Sequence, residues 1–460
     1  MLKQFVGDKA FYRRVLGIAI PILIQNGITN FVSMLDNLMV GQVGTIQMSS
    51  VSIANQLIFV FNLCIFGASS GAGIFTAQFH GKQDHEGIRH TFRFKILACF
   101  LLSVIGVGIF LGAGDGLISV YLRGEGDPKD AAMTLGYGIA YLRIMLLGLI
   151  PFAISNAYAS TLRESGQAVV PMLAGICAVL VNLILNYILI FGHLGLPAMG
   201  VEGAALATVI SRFVELGVVA VWTHTHSHLH PFIRGAYRSL QIPRQLLGQI
   251  IRKGMPLLLN EFLWSTGMAI MNQSYSTCGL DVVPAMNIAA TINNLSSVVY
   301  MSIGNATGIL MGQILGSGTA ENEVRSINRK LLFLGVAAGT VFGGVLLSVS
   351  GLFPLAFNTT GPVRSLAAAL IRIAAVLMPF HAFTYATFFT LRSGGQSWIT
   401  FIFDSGYVWA ICVPLAFCLS RFTDLPIIPL YAICQCMEFA KCAMGAQMLH
   451  KGSWIRNLTK

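Results

Sequence analysis

The chain has 460 residues, of which 55% are apolar and 10% charged, against roughly 25% charged in an average soluble domain. So much apolar surface with so few charges excludes a water-soluble globule and leaves an integral membrane protein. The formal charge of +11 would suit nucleic acid in a soluble chain, but the basic residues fall between apolar runs and no nucleic-acid module accompanies them, so no nucleic-acid partner is expected.

At ~20 residues per crossing, twelve crossings take about 240 residues and leave enough for overhangs and loops. Hydropathy places spans near 15–40, 48–78, 91–112, 134–160, 168–192 and 203–222, then 250–278, 282–312, 331–357, 364–391, 398–419 and 426–449. The start, MLKQFVGDKAFYRRVLGIAIPILIQ, runs from basic residues into apolar ones without an Ala-x-Ala type site, so no cleaved signal is expected. All nine cysteines lie in or beside apolar stretches and read as small packing residues, with neither a disulfide framework nor zinc spacing. The long polar connection, 223–249, falls at the midpoint.

The two halves repeat. At one common offset Pro21 aligns with Pro256, Gly44 with Gly279, Gly73 with Gly308, Gln78 with Gln313 and Gly81 with Gly316. At slightly different offsets LRESGQ (Leu162 to Gln167) matches LRSGGQ (Leu391 to Gln396), and Pro151 matches Pro379. Six spans per unit is an even number, so both units begin on the same side of the membrane. The expected fold is therefore all-α, with twelve transmembrane helices in two six-helix bundles related by a pseudo-twofold along the membrane normal. The expected division is an N-terminal lobe at 1–222, a cytoplasmic inter-lobe linker at 223–249 and a C-terminal lobe at 250–460. Arg13, Arg14, Lys82, Arg89, Arg234, Arg238, Arg325, Arg329 and Lys330 fall on one side, and only Arg123, Lys129, Arg364 and Arg421 on the other. This bias puts both termini in the cytoplasm.

Ionisable side chains within spans cost several kcal/mol unless they face a cavity or a partner. Arg212 with Glu215, and Glu438 with Lys441, have the spacing at which opposite charges neutralise each other on one helix. Arg143 and Arg372 occupy matching places and are expected to reach for an interface; Asp404 has no assigned role. Asp36 differs, because no basic residue lies within a helical turn or two of it and its repeat counterpart is Met271, whereas Asn37 is mirrored by Asn272. Such a carboxylate either carries a proton or holds a cation with help from oxygen ligands. Asn182 and Asn186, one turn apart, and Thr208 on the next span could supply those oxygens, a set suited to a hard monovalent cation; the same groups also serve as interhelical hydrogen-bond glue.

Glu261 likewise lacks a local countercharge and shares a helix face with Trp264 and Ser265, a combination fit for a cationic amphipathic guest. His381, two residues past Pro379, is either a protonation site or a hydrogen-bonded core histidine. The run His224, His226, His228, His230 has no spacing that fixes a coordination sphere, so no metal site is expected. Pro21, Pro151, Pro171, Pro256, Pro379 and Pro414 lie within spans, where proline removes a backbone hydrogen bond and permits bending; Pro21 and Pro256 are the hinge candidates.

The order and duplication of DNLMVGQVG, AQFHGKQD, LRESGQ, NLILNYILIFGHLGLPAMGVEGAALAT, KGMPLLLNEFLWSTG, LRSGGQ and KGSWIRNLTK resemble the multidrug and toxic compound extrusion (MATE) family over essentially the whole chain. The resemblance implies a cavity that opens alternately inward and outward and exports organic compounds, cationic or amphipathic, in exchange for Na+ or H+. It places Asp36, Asn182, Asn186 and Thr208 on the first-lobe cation site, Pro21 on the helix that bends with it, and Glu261 on a second-lobe acidic position, with His381, Trp264, Asn37 and Asn272 toward the substrate cavity. Asn186 and His381 stand where branches of the family carry aspartate, which leaves Na+ and H+ both open. The expected protein is not an enzyme: no phosphate cradle or hydrolase motif is present. It needs no cofactor beyond the coupling ion. It acts as a monomer in the cell (inner) membrane, with a small organic molecule, a monovalent cation and the bilayer as its partners. Two rival readings are a lipid-linked precursor flippase of the same superfamily and a membrane sensor without transport.

Overall fold

The structure, a computed structural model, describes residues 5–122, 128–279 and 281–459; Arg123 and the end residues of the two terminal motifs lie outside them. The helices are α1 (Lys9–Val43), α2 (Thr45–Lys82), α3 (His85–Tyr121), α4 (Pro128–Leu146), α5 (Leu149–Glu164), α6 (Val169–Phe191) and α7 (Gly200–Thr225). They continue with α8 (Arg244–Ser276), α9 (Val282–Gly316), α10 (Glu321–Val349), α11 (Gly361–Ser393), α12 (Ser397–Phe401), α13 (Val413–Phe422) and α14 (Ile427–Lys451). There is no strand among the described residues. Ten helical stretches there are long and apolar enough to cross a membrane, counting Ser397–Phe422 as one, and the α4–α5 pair supplies another. α8 is also of membrane length at 33 residues, but Arg252, Lys253, Asn260 and Glu261 dilute its apolar character.

Local chemistry explains the boundaries. Asp84 caps α3 by accepting from the Gly87 amide at 2.8 Å, and Gly192, at φ +75°, ends α6 in the left-handed conformation that glycine adopts without strain. The single span expected over 134–160 is instead two helices, α4 and α5, bent by 48°. Pro151 cannot donate to the residue 147 carbonyl and its ring crowds that turn, so the helix breaks at 147–148 and restarts. Between α12 and α13 the chain stays helical but widens into two π-helical stretches, Ile402–Gly406 and Val408–Cys412. The Asn260 Oδ1 takes the Ser405 amide at 3.2 Å, diverting that donor from the helical ladder.

Two compact units emerge. One holds Ile24–Thr76 and Asp84–Gly254; the other holds Met255–Lys460 together with Met1–Leu23 and Ala77–Gln83. The core of the first is built from Ala54, Ile65, Cys99, Ile118, Leu149, Ala153 and Ala205 on four helices. That of the second is built from Tyr275, Ala285, Leu370, Ile371 and Leu430. The outward face of α3 is apolar as well, with Leu101 59% and Leu111 65% exposed, as expected of a surface solvated by lipid.

In the first unit the midpoint connection is docked rather than loose. Arg93 donates to the carbonyls of Gly235 and Ala236 at 2.9 and 2.8 Å, Arg89 to that of Phe232 at 3.2 Å, and Phe232 and Ile233 are buried. In the second unit, repeat-equivalent glycines make reciprocal contacts: a Cβ at Gly81 would overlap the Gln313 carbonyl, and one at Gly316 would overlap that of Gln78. The C-terminal segment closes over this crossing. Gln78 accepts from the Leu458 amide at 2.7 Å and donates to the carbonyls of Ser393 and Arg456 at 2.9 and 3.1 Å, while Trp454 is buried.

Candidate cation and substrate sites

Asp36 lies on α1 between Val32 and Val40, which are buried one turn to either side, so the helix turns this carboxylate toward α6. The Asn186 Nδ2 donates to Asp36 Oδ1 at 2.7 Å. With donors set against acceptors, the Asn182 amide nitrogen donates to both Asp36 oxygens at 3.0 and 3.1 Å and its oxygen accepts from Thr208 Oγ1 at 3.2 Å. Asn186 Oδ1, buried and without a hydrogen bond among the described residues, adds one more acceptor. Asp36, Asn182, Asn186 and Thr208 are thus brought together, while Asn37 is exposed on another face of α1.

The second unit encloses a cavity of about 250 Å³ walled by aromatic and charged groups, Trp264 and His381 among them. Here two sequence expectations change. Glu438 and Lys441 form no direct ion pair along α14; each reaches across to another helix. Lys441 Nζ donates to Asp404 Oδ1 at 2.8 Å, and Asp404 Oδ2 accepts from Asn260 Nδ2 at 3.0 Å. Glu438 Oε1 accepts from Thr384 and lies 3.4 Å from His381 Nδ1. Interhelical partners replace the local pair because the π-helical turn carries Asp404 to Lys441. Arg212 and Glu215 likewise form no ion pair: the Arg212 guanidinium donates to the Gly148 carbonyl at 3.3 Å and lies over the Phe152 ring at 4.8 Å. The same carbonyl, at the start of α5, also accepts from the Phe152 amide at 3.2 Å.

Glu261 is half-buried on α8 but outside the cavity wall, and Asn272 is exposed. Pro21 and Pro256 are buried inside α1 and α8. The compact units divide these helices after Leu23 and after Gly254, beside the two prolines. His224 accepts from or donates to the Tyr158 hydroxyl at 3.0 Å, His226 stacks on Trp222 at 4.6 Å, and His230 is buried. Tyr237, in the midpoint connection, bonds the same Tyr158 hydroxyl, and burial pushes the Tyr237 phenol above its ordinary range. Among the described residues no group of three or more His, Cys, Asp or Glu could hold a metal.

Two polar elements escaped the sequence reading. Lys95 is wholly buried on α3, paired with Glu164 and within 3.1 and 3.3 Å of the Ser160 and Thr161 hydroxyls. Its signal was a lysine inside an apolar stretch. Asn260 is 2% exposed and organises Asp404 and Ser405; only its place beside Glu261 marked it.

Fold and sites together define a duplicated helical membrane protein with a carboxylate held among buried amides in one unit and a charged aromatic cavity in the other. The MatE family model matches twice, over residues 21–188 and 256–417. The chain belongs to the MATE family of transporters. A Thermotoga maritima protein described as "Probable multidrug resistance protein NorM" is 23% identical over 90% of this chain and 87% of its own. A Bacillus subtilis protein described as "Probable multidrug resistance protein YoeA" is 25% identical over 93% and 91%. Among solved structures, an outward-facing multidrug resistance MATE family transporter of the MOP superfamily superimposes with a TM-score of 0.85 at 19% identity, covering 98% of each chain. A MOP superfamily transporter from Pyrococcus furiosus, described as having a binding pocket of reversed polarity, gives the same values. These structures share the twelve-helix fold.

Proposed function

We propose that this transporter is a cation-coupled antiporter of the inner membrane, exporting organic compounds, cationic or amphipathic, in exchange for Na+ or H+. The observation that carries the reading is the Asp36 carboxylate facing Asn182 and Asn186 with Thr208 behind them. The names of the relatives from Thermotoga maritima and Bacillus subtilis support drug-like substrates. Glu261, His381, Trp264, Asn37 and Asn272 would contact substrate. The halves 1–222 and 250–460, joined by 223–249, would be the moving parts, with Pro21 and Pro256 as hinges and both termini cytoplasmic. One cation returning down ~150 mV gains roughly 3.5 kcal/mol, enough to sustain a substrate gradient of a few hundredfold at one cation per neutral substrate. Cation and substrate favour different states and so compete through population shift. Flux of an organic cation in proteoliposomes, with Na+ and proton gradients imposed separately, tests this. One gradient should drive uphill efflux; efflux indifferent to both would refute antiport.

A further inference from the structure

α1, α9 and α10 leave an open groove of about 670 Å³ at one end of the second unit, where α1 and α10 begin and α9 ends. Its polar lining is basic on balance. Arg14, on the second turn of α1, gives one of its N–H donors to Gln313 Oε1 at 3.0 Å and is otherwise exposed. Lys330, on the third turn of α10, lies 5.9 Å from the centre of the Phe11 ring and makes no hydrogen bond among the described residues. Neither forms an ion pair there. One acid, Asp8, shares the wall. Its Oδ1 accepts from the Phe11 amide at 2.7 Å, and its other oxygen has no hydrogen bond among the described residues. Deeper along each helix the lining turns apolar. Val15 follows Arg14, Leu331 follows Lys330, and Leu310 lies about one turn inside Gln313; all three are buried and line the same groove. On the same two outer helices Leu16, Ile20 and Phe333 are exposed, as on a surface solvated by lipid.

We propose that this groove binds one anionic phospholipid, with its phosphodiester on Arg14 and Lys330 and its acyl chains against Val15, Leu310 and Leu331. A guanidinium offers paired N–H donors to phosphate oxygens, and an ammonium adds a point charge beside them. Arg14 and Lys330 against Asp8 leave one net positive charge on the wall, which a single phosphodiester balances. The head beyond that phosphate is then neutral and hydroxylated, one hydroxyl donating to the open Asp8 oxygen. Phosphatidylglycerol has this chemistry. A zwitterionic lipid with an ammonium head would meet Asp8 but leave the net charge of the wall uncompensated. A soluble phosphate ester would meet the cations and leave the apolar half of the groove in water.

The site is independent of the transport reading, and its test requires no gradient. The purified full chain in detergent is titrated with dioleoyl phosphatidylglycerol, dioleoyl phosphatidylethanolamine and soluble glycerophosphoglycerol, and bound lipid is counted by native mass spectrometry. One phosphatidylglycerol per chain should bind roughly tenfold or more tightly than phosphatidylethanolamine, and an equal concentration of glycerophosphoglycerol should not displace it. Arg14→Gln/Lys330→Gln should weaken that one lipid roughly tenfold or more. Arg13→Gln/Arg329→Gln removes the same charge from exposed neighbours outside the groove and should change affinity by about twofold at most. Should the first double variant fail to fold, Lys330→Gln alone, which breaks no hydrogen bond of the protein, should still bring a severalfold loss. Equal binding of the two lipids, displacement by glycerophosphoglycerol, or an equal loss from the control pair would overturn the proposal, the last by showing a diffuse surface attraction instead.

Discussion

Lys95 and Glu164 show what one ion pair does in a dry interior. The lysine is wholly buried between α3 and α5, and its ammonium is met by a carboxylate and two hydroxyls. Removing one partner of such a pair leaves an uncompensated charge, at about 3–5 kcal/mol, whereas removing both is often neutral. Lys95→Met should therefore lower the thermal unfolding temperature of the detergent-purified protein markedly, and Lys95→Met/Glu164→Gln should recover most of the loss. A single variant as stable as the parent would show the pair to be dispensable. Asp36 belongs to the other kind of buried acid, held by neutral amides rather than by a cation of the protein.

At the scale of elements, the crossing of α2 and α9 tips rests on absent side chains. Gly81 and Gly316 each lie against the backbone of the other helix, at Gln313 and Gln78, so a larger residue must push helices apart. Gly316→Val should destabilise by ~1–3 kcal/mol or more, read as lower yield and thermal stability; a fully stable variant would mean the crossing is not closely packed. α1 makes the opposite use of a small defect. Pro21 leaves the carbonyl one turn earlier without its helical donor, next to the point where α1 passes from one compact unit to the other. Pro21→Ala restores the bond and favours a straight helix by up to ~3 kcal/mol. Turnover in proteoliposomes should slow while substrate affinity holds, and parental turnover would remove Pro21 from the hinge role.

For the whole molecule, the duplication was legible because it is written in glycines, glutamines and prolines at matching places, and two of these equivalences meet crosswise in space: Gly81 lies against the Gln313 backbone and Gly316 against that of Gln78. The Asp36 group could also be read in advance, since a carboxylate without a nearby base and two asparagines one turn apart are local patterns. Charge pairing in the second unit was not. Helical spacing says which charges could meet along α14, but Lys441 meets Asp404 and Glu438 meets His381 because of a π-helical turn created by Asn260, a distant side chain. Hydropathy also hid the α4–α5 break, because apolar character runs on without interruption through the proline that causes it.

The central claim, that loading and unloading of Asp36 drives export, is tested most directly by Asp36→Asn in reconstituted proteoliposomes, beside the parent protein under the gradient that drives it. The asparagine keeps the size and a hydrogen-bonding oxygen but neither holds a cation strongly nor accepts a proton at ordinary pH. The account predicts a variant that inserts and folds normally while gradient-driven efflux falls to background. Efflux at the parental rate from Asp36→Asn would contradict it.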